Sequence, residues 1–404
     1  MTMRPILVPL VALAAACTSQ APGQAESAAP FVSTPVATFD SPWAMAFIPG
    51  SSAALVTEKP GRMWLVDLAS GGKQPVSGAP EVVVSGQGGL LDVAVSPRFA
   101  ADRLVYLTFA EQSANGGSGL ALARARLDGM QLRDLRVIWR DSAGGKGGQF
   151  GGIIAFAPHG NSLFLTIGDR QRFTSAQDAS EPLGKILHLT LDGAPAPGNP
   201  WADRAAPATV EVTDPPSNTE AAKRQHGRWV ALPGPNRTPA QTWSLGHRNP
   251  YGLAFNAQGV LWETEMGPRG GDELNRIVRG RNYGWPLVSE GRNYDGVAIP
   301  PHSSRPDLEP PILSWNPVIS PTSLVIYSGS LFPAWKGNGF IGALSATGLV
   351  RVTFDGGQAR KADQWDLGAR IRWVGEGPGG ALYLLEDGDG GRLLRLTPPA
   401  QERR

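Results

Sequence analysis

The chain has 404 residues, a formal net charge of +2 and 41% hydrophobic residues. This composition excludes a chain that is disordered for lack of apolar residues, and the near-neutral charge excludes a strongly basic nucleic-acid-binding protein. A single cysteine excludes a disulfide framework and any cysteine-based zinc cluster. The 51 glycines and 36 prolines show no Gly-X-Y period and indicate many turns.

The N-terminal segment has the features of an export signal. Arg4 precedes an apolar run over 6–16, which is too short to cross about 30 Å of hydrocarbon but fits the core of a signal peptide. Small residues before Cys17 resemble a bacterial lipoprotein signal. We predict a signal over 1–17 that ends at a lipidated Cys17, then a flexible tether over 18–34. The protein is then exported and periplasmic, held at the outer membrane by its lipid alone, with an ordinary cleavable signal as the alternative.

A strand phrase recurs six times in the rest of the chain. Each copy has an apolar pair, a turn with Pro or Gly and an alternating apolar segment, and another short strand follows. Period-2 strands repeated at tens of residues are typical of a propeller or a solenoid. We predict an all-β, six-bladed β-propeller over 35–398 with a long inserted loop around 194–241. A two-sheet sandwich array does not explain the paired phrases. The copies are 44–59, 90–111, 152–169, 252–267, 323–344 and 372–387.

Oxygen ligands are concentrated in the segment 264–285. Glu265, Asp272 and Glu273 are hard donors, and the glycines among them allow backbone carbonyls to turn toward a cation. Calcium binds six to eight such oxygens. The segment therefore predicts a calcium site, and a glycine-rich hairpin with solvated acids is the alternative.

Two pairs of side chains indicate an anionic ligand. Arg248 and Asn249 come directly before a predicted strand, where their side chains can point into the channel. The alternative is that they only stabilise a surface turn. Arg370 and Arg372 are two residues apart and share one face of a strand. Neighbouring cations repel each other unless an anion lies between them. A ligand with several carboxylates would satisfy them, and so would separate aspartate partners.

Three further polar residues lie at predicted turns, namely Gln87, Gln149 and Asp169. The five histidines show no metal-binding spacing, and the sequence has no nucleophile elbow, nucleotide-binding glycine motif or phosphate loop. Chemistry without these motifs favours a bound cofactor that brings its own reactivity.

Several motifs in order carry a family resemblance. The segments GQGGLLDVAVSPRF, QFGGIIAF, LGHRNPYGLAF, EMGPRGGDELN, RNYGWP and RIRWV resemble those of the sugar dehydrogenases that depend on pyrroloquinoline quinone (PQQ), a family of six-bladed propellers. The resemblance covers 35–398. It implies calcium, oxidation of an aldose sugar or related alcohol by hydride transfer to the quinone, and an electron acceptor that the sequence does not identify.

The resemblance also implies roles for individual residues. It implies that the quinone is contacted by Arg248, Asn249, Arg370, Arg372 and the position of Ser345. Calcium beside the quinone is bound by the carbonyls of Gly267 and Pro268, and a second calcium by Glu273 and the Tyr283 carbonyl. The sugar is faced by Gln87 and Asp169.

The sequence differs from the family at several positions to which the resemblance assigns catalytic or cofactor-binding roles. Gln149 replaces the family's general-base histidine, and a glutamine amide cannot accept a proton near neutral pH. Ser345 replaces a lysine, Met266 a histidine and Trp373 an aspartate. Asp169 is therefore a second candidate for the catalytic base. A catalytically inactive propeller that binds a ligand or partner is the main alternative function, and a calcium-dependent, lactonase-like hydrolase is a third.

Overall fold

A computed structural model describes residues 29–141, 143–172, 174–204, 206–213, 227–232 and 234–400. The predicted signal with Cys17, and residues 18–28 of the predicted tether, lie outside the described residues. No helix in the described ranges has the length and apolar character that a membrane span requires.

Six four-stranded antiparallel sheets surround a central axis, which confirms the predicted six-bladed β-propeller. A first strand, β1, spans Val32–Asp40. Blade 1 contains β2 (Pro42–Phe47), β3 (Ala53–Glu58), β4 (Met63–Asp67) and β5 (Lys73–Pro75). Blade 2 contains β6 (Leu90–Val95), helix α1 (Phe99–Asp102), β7 (Leu104–Gln112), β8 (Ser118–Asp128) and β9 (Gln131–Arg140). Blade 3 begins with β10 (Gly151–Phe156), β11 (Ser162–Ile167) and β12 (Lys185–Thr190).

The remaining elements follow in chain order. The insertion in blade 3 contains β13 (Thr209–Thr213), β14 (Gly227–Ala231) and helix α2 (Thr238–Gln241), and β15 (Thr242–Leu245) completes that blade. Blade 4 contains β16 (Pro250–Phe255), β17 (Leu261–Glu265), β18 (Asp272–Ile277) and β19 (Leu313–Trp315). Blade 5 contains β20 (Pro321–Ile326), β21 (Gly339–Ala343), β22 (Gly348–Asp355) and β23 (Gln358–Asp366). Blade 6 contains β24 (Ile371–Glu376), β25 (Leu382–Glu386) and β26 (Asp389–Thr397). Short 3-10 helices span Ser175–Gln177, His302–Ser304, Pro333–Trp335 and Pro378–Gly380.

The insertion around 194–241 is more than a loop. Strands β13 and β14 form an antiparallel hairpin that is a separate two-stranded sheet. The chain then returns through α2 to β15, which pairs with β12 as the outer strand of blade 3. The insertion therefore leaves and re-enters one blade without interrupting the order of the six.

Burial differs between the inner and outer strands of a blade. Every residue of β11 is buried, because neighbouring blades cover both faces of the strand. The outer strand β23 is mostly exposed, with only scattered buried positions. Each repeated phrase in the sequence corresponds to the two innermost strands of a blade, and the short strand that follows it is the third.

The innermost strands of the six blades line the central channel. These are β2, β6, β10, β16, β20 and β24, and the channel has a volume of about 280 Å³. Because all six strands run in the same sense around the axis, the loops that precede them are gathered at one end of the propeller. Gln87, Gln149, Arg248 and Ser320 lie in those loops and line one cavity.

The N-terminal strand closes the ring. Strand β1 pairs antiparallel with β26 from Val32↔Thr397 to Asp40↔Asp389, so the two chain ends share blade 6. Phe31, directly before β1, is buried against the rings of Trp365 and Trp335, with centroid distances of 5.3 and 6.2 Å. The closing strand is therefore held by side-chain packing as well as by backbone pairing.

This closure predicts unequal effects of two neighbouring substitutions. Phe31→Ala removes the aromatic anchor of β1 and should lower the free energy of unfolding by about 3–5 kcal/mol, measured by denaturant titration. Val32→Ala is the matched control, because Val32 is 45% exposed, and it should change stability little. Equal stability of the two variants would show that Phe31 does not secure the closure.

Candidate functional site

A cavity of about 610 Å³ lies at the end of the propeller where these loops meet. Its wall combines predicted site residues with residues that the sequence did not single out. The predicted residues are Gln87, Gln149, Arg248, Asn249, Gly267, Pro268 and Asp272; the others include Arg269, Arg292, Tyr294, Asn316 and Ser320.

Gln149 has a strained backbone and a constrained position. Its φ is 56°, in the left-handed region that few residues other than glycine adopt. Its backbone N–H donates to Gln87 Oε1 at 2.7 Å, and the Tyr251 hydroxyl donates to the same oxygen at 3.1 Å. The amide oxygen of Gln87 therefore helps to position the backbone of Gln149. Strain of this kind is typical of functional sites.

The Gln149 side chain connects a cation to an anion. Its amide nitrogen donates to Asp169 Oδ1, and its oxygen accepts from Arg248 Nη2 at 2.8 Å, in the amide orientation that satisfies both partners. Gln149 is buried, with 5% of its surface exposed. A glutamine thus lies between Arg248 and Asp169 at the floor of the cavity.

Asp169 is completely buried and does not line the cavity. Gln171 N–H donates to its Oδ1 at 2.7 Å, and Trp285 Nε1–H donates to Oδ2 at 2.8 Å. Burial raises the pKa of Asp169 to about 7, against the opposing effect of Arg248. Asp169, which is predicted to face the sugar, therefore lies behind Gln149, whose side chain separates its carboxylate from the cavity.

Arg248 is held by carbonyl oxygens. Its Nη1 donates to Met266 O at 2.9 Å and to Gly267 O at 2.5 Å. Its Nη2 also donates to the Tyr294 hydroxyl at 3.3 Å, and the guanidinium lies 5.2 Å from the Trp285 ring centroid. No carboxylate of the described residues forms an ion pair with this arginine, so it remains available to an anionic ligand.

Asn249 lies beside Arg248 and is buried. Its Nδ2 donates to Met266 Sδ at 3.6 Å, whereas Oδ1 has no partner among the described residues. Arg248 Nε is likewise buried without a partner there. Unpaired buried polar atoms are costly, and their presence in a cavity wall points to a ligand.

The backbone turn at Gly267 and Pro268 is fixed by Asp272. One Asp272 oxygen accepts from Gly267 N–H at 2.8 Å, and the other accepts from the backbone N–H groups of Ile319 and Ser320, both at 2.7 Å. A Cβ at position 267 would lie 2.3 Å from Gly271 O, so only glycine fits this turn. The turn presents carbonyl oxygens beside Arg248.

A second polar cluster is buried behind this turn. The ligand atoms of His247, Glu263 and Glu265 lie within 4.8 Å of one another. Asn275 Nδ2 donates to Glu263, Glu265 and Glu273 at 3.1, 3.2 and 3.2 Å. One amide has only two hydrogens for these three carboxylates. Burial and the neighbouring Glu265 raise the pKa of both Glu263 and Glu273.

Glu273 and Tyr283 are brought together, as the predicted second calcium site requires. Both line a small cavity with Glu265, although the Tyr283 carbonyl accepts from His302 Nε2 at 3.1 Å. Glu263 and His247 are not among the predicted ligands, although the period-2 spacing of Glu263 and Glu265 on β17 is a signal that the sequence contains.

Arg370 and Arg372 have an internal partner. Arg370 Nε lies 2.9 Å from Asp387 Oδ2, and Arg372 Nη2 lies 2.7 Å from Oδ1. Burial acts to raise the pKa of Asp387, but Arg372 and Arg370 outweigh it and lower that pKa. The sequence left open whether a ligand with several carboxylates or separate aspartates would balance the charge of this pair. In the structure, the single carboxylate of Asp387 pairs with both arginines.

The remaining predicted site residues lie apart from the cavity. Neither Arg370 nor Arg372 lines it, and Arg372 faces the central channel, where its guanidinium lies 4.3 Å from the Trp43 ring centroid. Ser345 is exposed, and its hydroxyl donates to Val318 O at 3.1 Å. None of these three residues lines the Arg248 cavity, although Val318, the partner of Ser345, does.

Comparison with known proteins confirms the family resemblance. A family model described as Glucose / Sorbosone dehydrogenase matches residues 39–212 and 232–395. The chain is 33% identical over 367 residues to aldose sugar dehydrogenase YliI of Escherichia coli strain K12, covering 89% of this chain and 90% of that one.

Solved structures agree. The soluble aldose sugar dehydrogenase from Escherichia coli in the apo-form superposes with a TM-score of 0.77 at 32% identity, over 91% of this chain and 100% of that one. The PQQ-bound form of aldose sugar dehydrogenase from Streptomyces coelicolor gives a TM-score of 0.68 at 28% identity, over 92% and 99%. With the family model matching both parts of the propeller, the chain belongs to the glucose/sorbosone dehydrogenase family.

Proposed function

We propose that this protein oxidises an aldose sugar or a related alcohol, transferring hydride to PQQ beside a calcium ion. The observation that carries the proposal is the Arg248–Gln149–Asp169 chain at the floor of a 610 Å³ cavity. Family membership and the PQQ-bound state of the Streptomyces coelicolor relative support the choice of cofactor.

The cavity wall fits a quinone with carboxylate groups. Arg248 offers a charged donor without an ion-pair partner in the described chain, and Asn249 Oδ1 is a buried acceptor that lacks a donor there. A ligand with anionic oxygens and a ring N–H would supply an acceptor for Arg248 and a donor for Asn249 Oδ1. Hydrogen bonds between arginine and carboxylate are among the stronger polar contacts in proteins.

The oxygen donors also fit calcium, a hard cation. The carbonyls of Gly267 and Pro268 belong to a turn held by Asp272 at the cavity wall. Behind it, Glu263, Glu265 and Glu273 share one amide donor, and Glu263 Oε1 and Asn275 Oδ1 have no partner within the described chain. A divalent ion would compensate the charge that this amide leaves unsatisfied.

When bound, the quinone with its calcium ion supplies the hydride-accepting carbon. Arg248 then stabilises the negative charge that develops on the acceptor oxygens. Gln149 orients Arg248 and hydrogen-bonds Asp169, but it cannot take the hydroxyl proton. Among the described residues, the cavity lining therefore supplies binding and charge stabilisation but contains no histidine that could act as a general base. The proton of the substrate hydroxyl then passes to solvent.

The first test is cofactor binding. Titrating the purified protein with PQQ in the presence of calcium should give saturable changes in quinone absorbance, followed by sugar-dependent dye reduction. Arg248→Gln should weaken quinone binding about tenfold or more, because a charged hydrogen bond is lost. Arg305→Gln, an exposed residue paired with Asp307, is the control. Absence of saturable binding by the unmodified protein would favour the inactive propeller.

The second test restores a base. In Gln149→His, one ring nitrogen can donate to Asp169 while the other presents a basic lone pair to the cavity. We expect the dye-reduction rate to rise by about 10²- to 10⁴-fold, the usual contribution of a general base. The new activity should fall as pH drops through the histidine pKa, because protonation removes the lone pair.

Two controls separate a base from a packing change. Gln149→Asn keeps an amide and should show no increase. Asp169→Asn in the Gln149→His background should lose most of the gain, because the histidine loses its orienting carboxylate. A rate increase that is independent of pH, or that persists without Asp169, would count against this assignment.

Export and lipid anchoring are a separate proposal, supported by the residues of 1–17. Cys17→Ala should abolish incorporation of radiolabelled palmitate into the protein, measured by metabolic labelling and immunoprecipitation, because the thiol that would be acylated is gone. Thr18→Ala should leave the labelling unchanged. Absence of label in the unmodified protein would rule out the lipid anchor.

A further inference from the structure

Two arginines face each other at the rim of the cavity. Arg269 N–H donates to Arg292 O at 3.0 Å, and Arg292 N–H donates to Arg269 O at 3.1 Å. This reciprocal bonding defines a hydrogen-bonded antiparallel pair, and Arg292 also forms a bridge with Ala298 on its other side. Both arginines line the cavity, and the backbone between the two bridges fixes their positions.

Opposed residues in such a pair project their side chains from the same face, with Cβ atoms about 5 Å apart. Two like charges directly opposite each other are destabilising. Neither guanidinium has a hydrogen-bond or ion-pair partner among the residues that the structure describes, and both arginines are exposed. The rim therefore concentrates positive charge that the described residues do not neutralise.

Other neighbouring arginines differ in this respect. Arg126 and Arg133 are also cross-strand partners, and so are Arg124 and Arg136. Each of these pairs has an acid beside it, as do Arg370 and Arg372. The ion pairs are Arg133 with Asp128 at 2.9 Å, Arg124 with Asp192 at 2.6 Å, and Asp387 with Arg370 and Arg372 at 2.9 and 2.7 Å.

The cavity itself does not supply the missing anion. Asp272 is its only acidic lining residue among those described, and backbone N–H groups occupy both of its carboxylate oxygens. Arg248 adds a further positive charge deeper in the same cavity. Its lining therefore combines three cations with one acid whose acceptors are already used.

We propose that Arg269 and Arg292 bind an anionic substituent of the sugar substrate, a carboxylate or a phosphate, at the end remote from the carbon that is oxidised. This inference rests on the proposed dehydrogenase function, in which the floor beside Arg248 and Asn249 holds the acceptor. The substrate then occupies the space toward the rim. Paired guanidinium groups match the geometry of both anions.

The test measures sugar affinity directly, by calorimetry at low ionic strength, with the quinone- and calcium-loaded protein and with the protein alone. The probes are glucose, glucuronate and glucose 6-phosphate. At least one anionic sugar should bind about 10- to 100-fold more tightly than glucose, the range expected for charged hydrogen bonds. The preferred probe identifies the anion as carboxylate or phosphate, and added salt should weaken the preference.

Variants assign the preference to the pair. Arg269→Gln/Arg292→Gln should bind the anionic sugar and glucose about equally, whereas Arg269→Lys/Arg292→Lys should keep part of the preference. Arg360→Gln, exposed on β23, is the control and should behave as the unmodified protein. Thermal unfolding of all variants checks that these surface changes leave the fold intact.

Three results would overturn the inference. They are equal affinities for all three sugars, an anionic preference that survives the glutamine double variant, and a double variant that loses quinone affinity instead of sugar preference. The proposed function fails separately, if the protein alone retains the anionic preference but no quinone titration saturates. In that case the arginine pair still binds the anionic sugar, in a protein that is not a quinone-dependent dehydrogenase.

Discussion

The pairing of β1 with β26 is the contact on which the rest of the structure depends. A propeller blade contacts only its neighbours, so an open ring would leave the faces of two blades exposed. The candidate site is assembled from loops of blades 2 to 5, before β6, β10, β16 and β20. Closure of the ring therefore stabilises the scaffold on which Gln149 of blade 3 and Arg248 of blade 4 meet.

Gln149 has one property that the candidate site uses and lacks another. Its amide connects Arg248 to Asp169, so the polar chain at the floor of the cavity is continuous. The amide has no basic lone pair. Burial raises the pKa of Asp169 to about 7, so this carboxylate can exchange a proton near neutral pH, but it has no direct access to a substrate hydroxyl. Cofactor binding and proton removal are thus separable in this site.

The sequence predicts the fold well where burial is continuous and poorly where it is not. Strands such as β11 are buried throughout because two blades cover them, and the apolar residues of these strands produce the repeat. The outer strand β23 mixes polar and apolar residues and has no such signature. The same distinction applies to the site. Motifs located Gln149 and Arg248, but side-chain contacts across blades, such as Trp285 with Asp169, depend on a register that one sequence does not contain.

The arginine pairs show that sequence spacing alone does not reveal what balances their charge, whereas the contacts in the folded structure do. Arg370 and Arg372 are adjacent on one face, and from the sequence a ligand and an internal acid explain them equally well. The hairpin of β24 and β25 decides the matter, because its register places Ile371 opposite Glu386 and so brings Asp387 to both guanidinium groups. Arg269 and Arg292 are far apart in the chain and show no pattern at all. Only the bridge between their backbones reveals two opposed cations without an acid in the described structure, and that unbalanced charge, rather than the number of arginines, indicates where an anion binds.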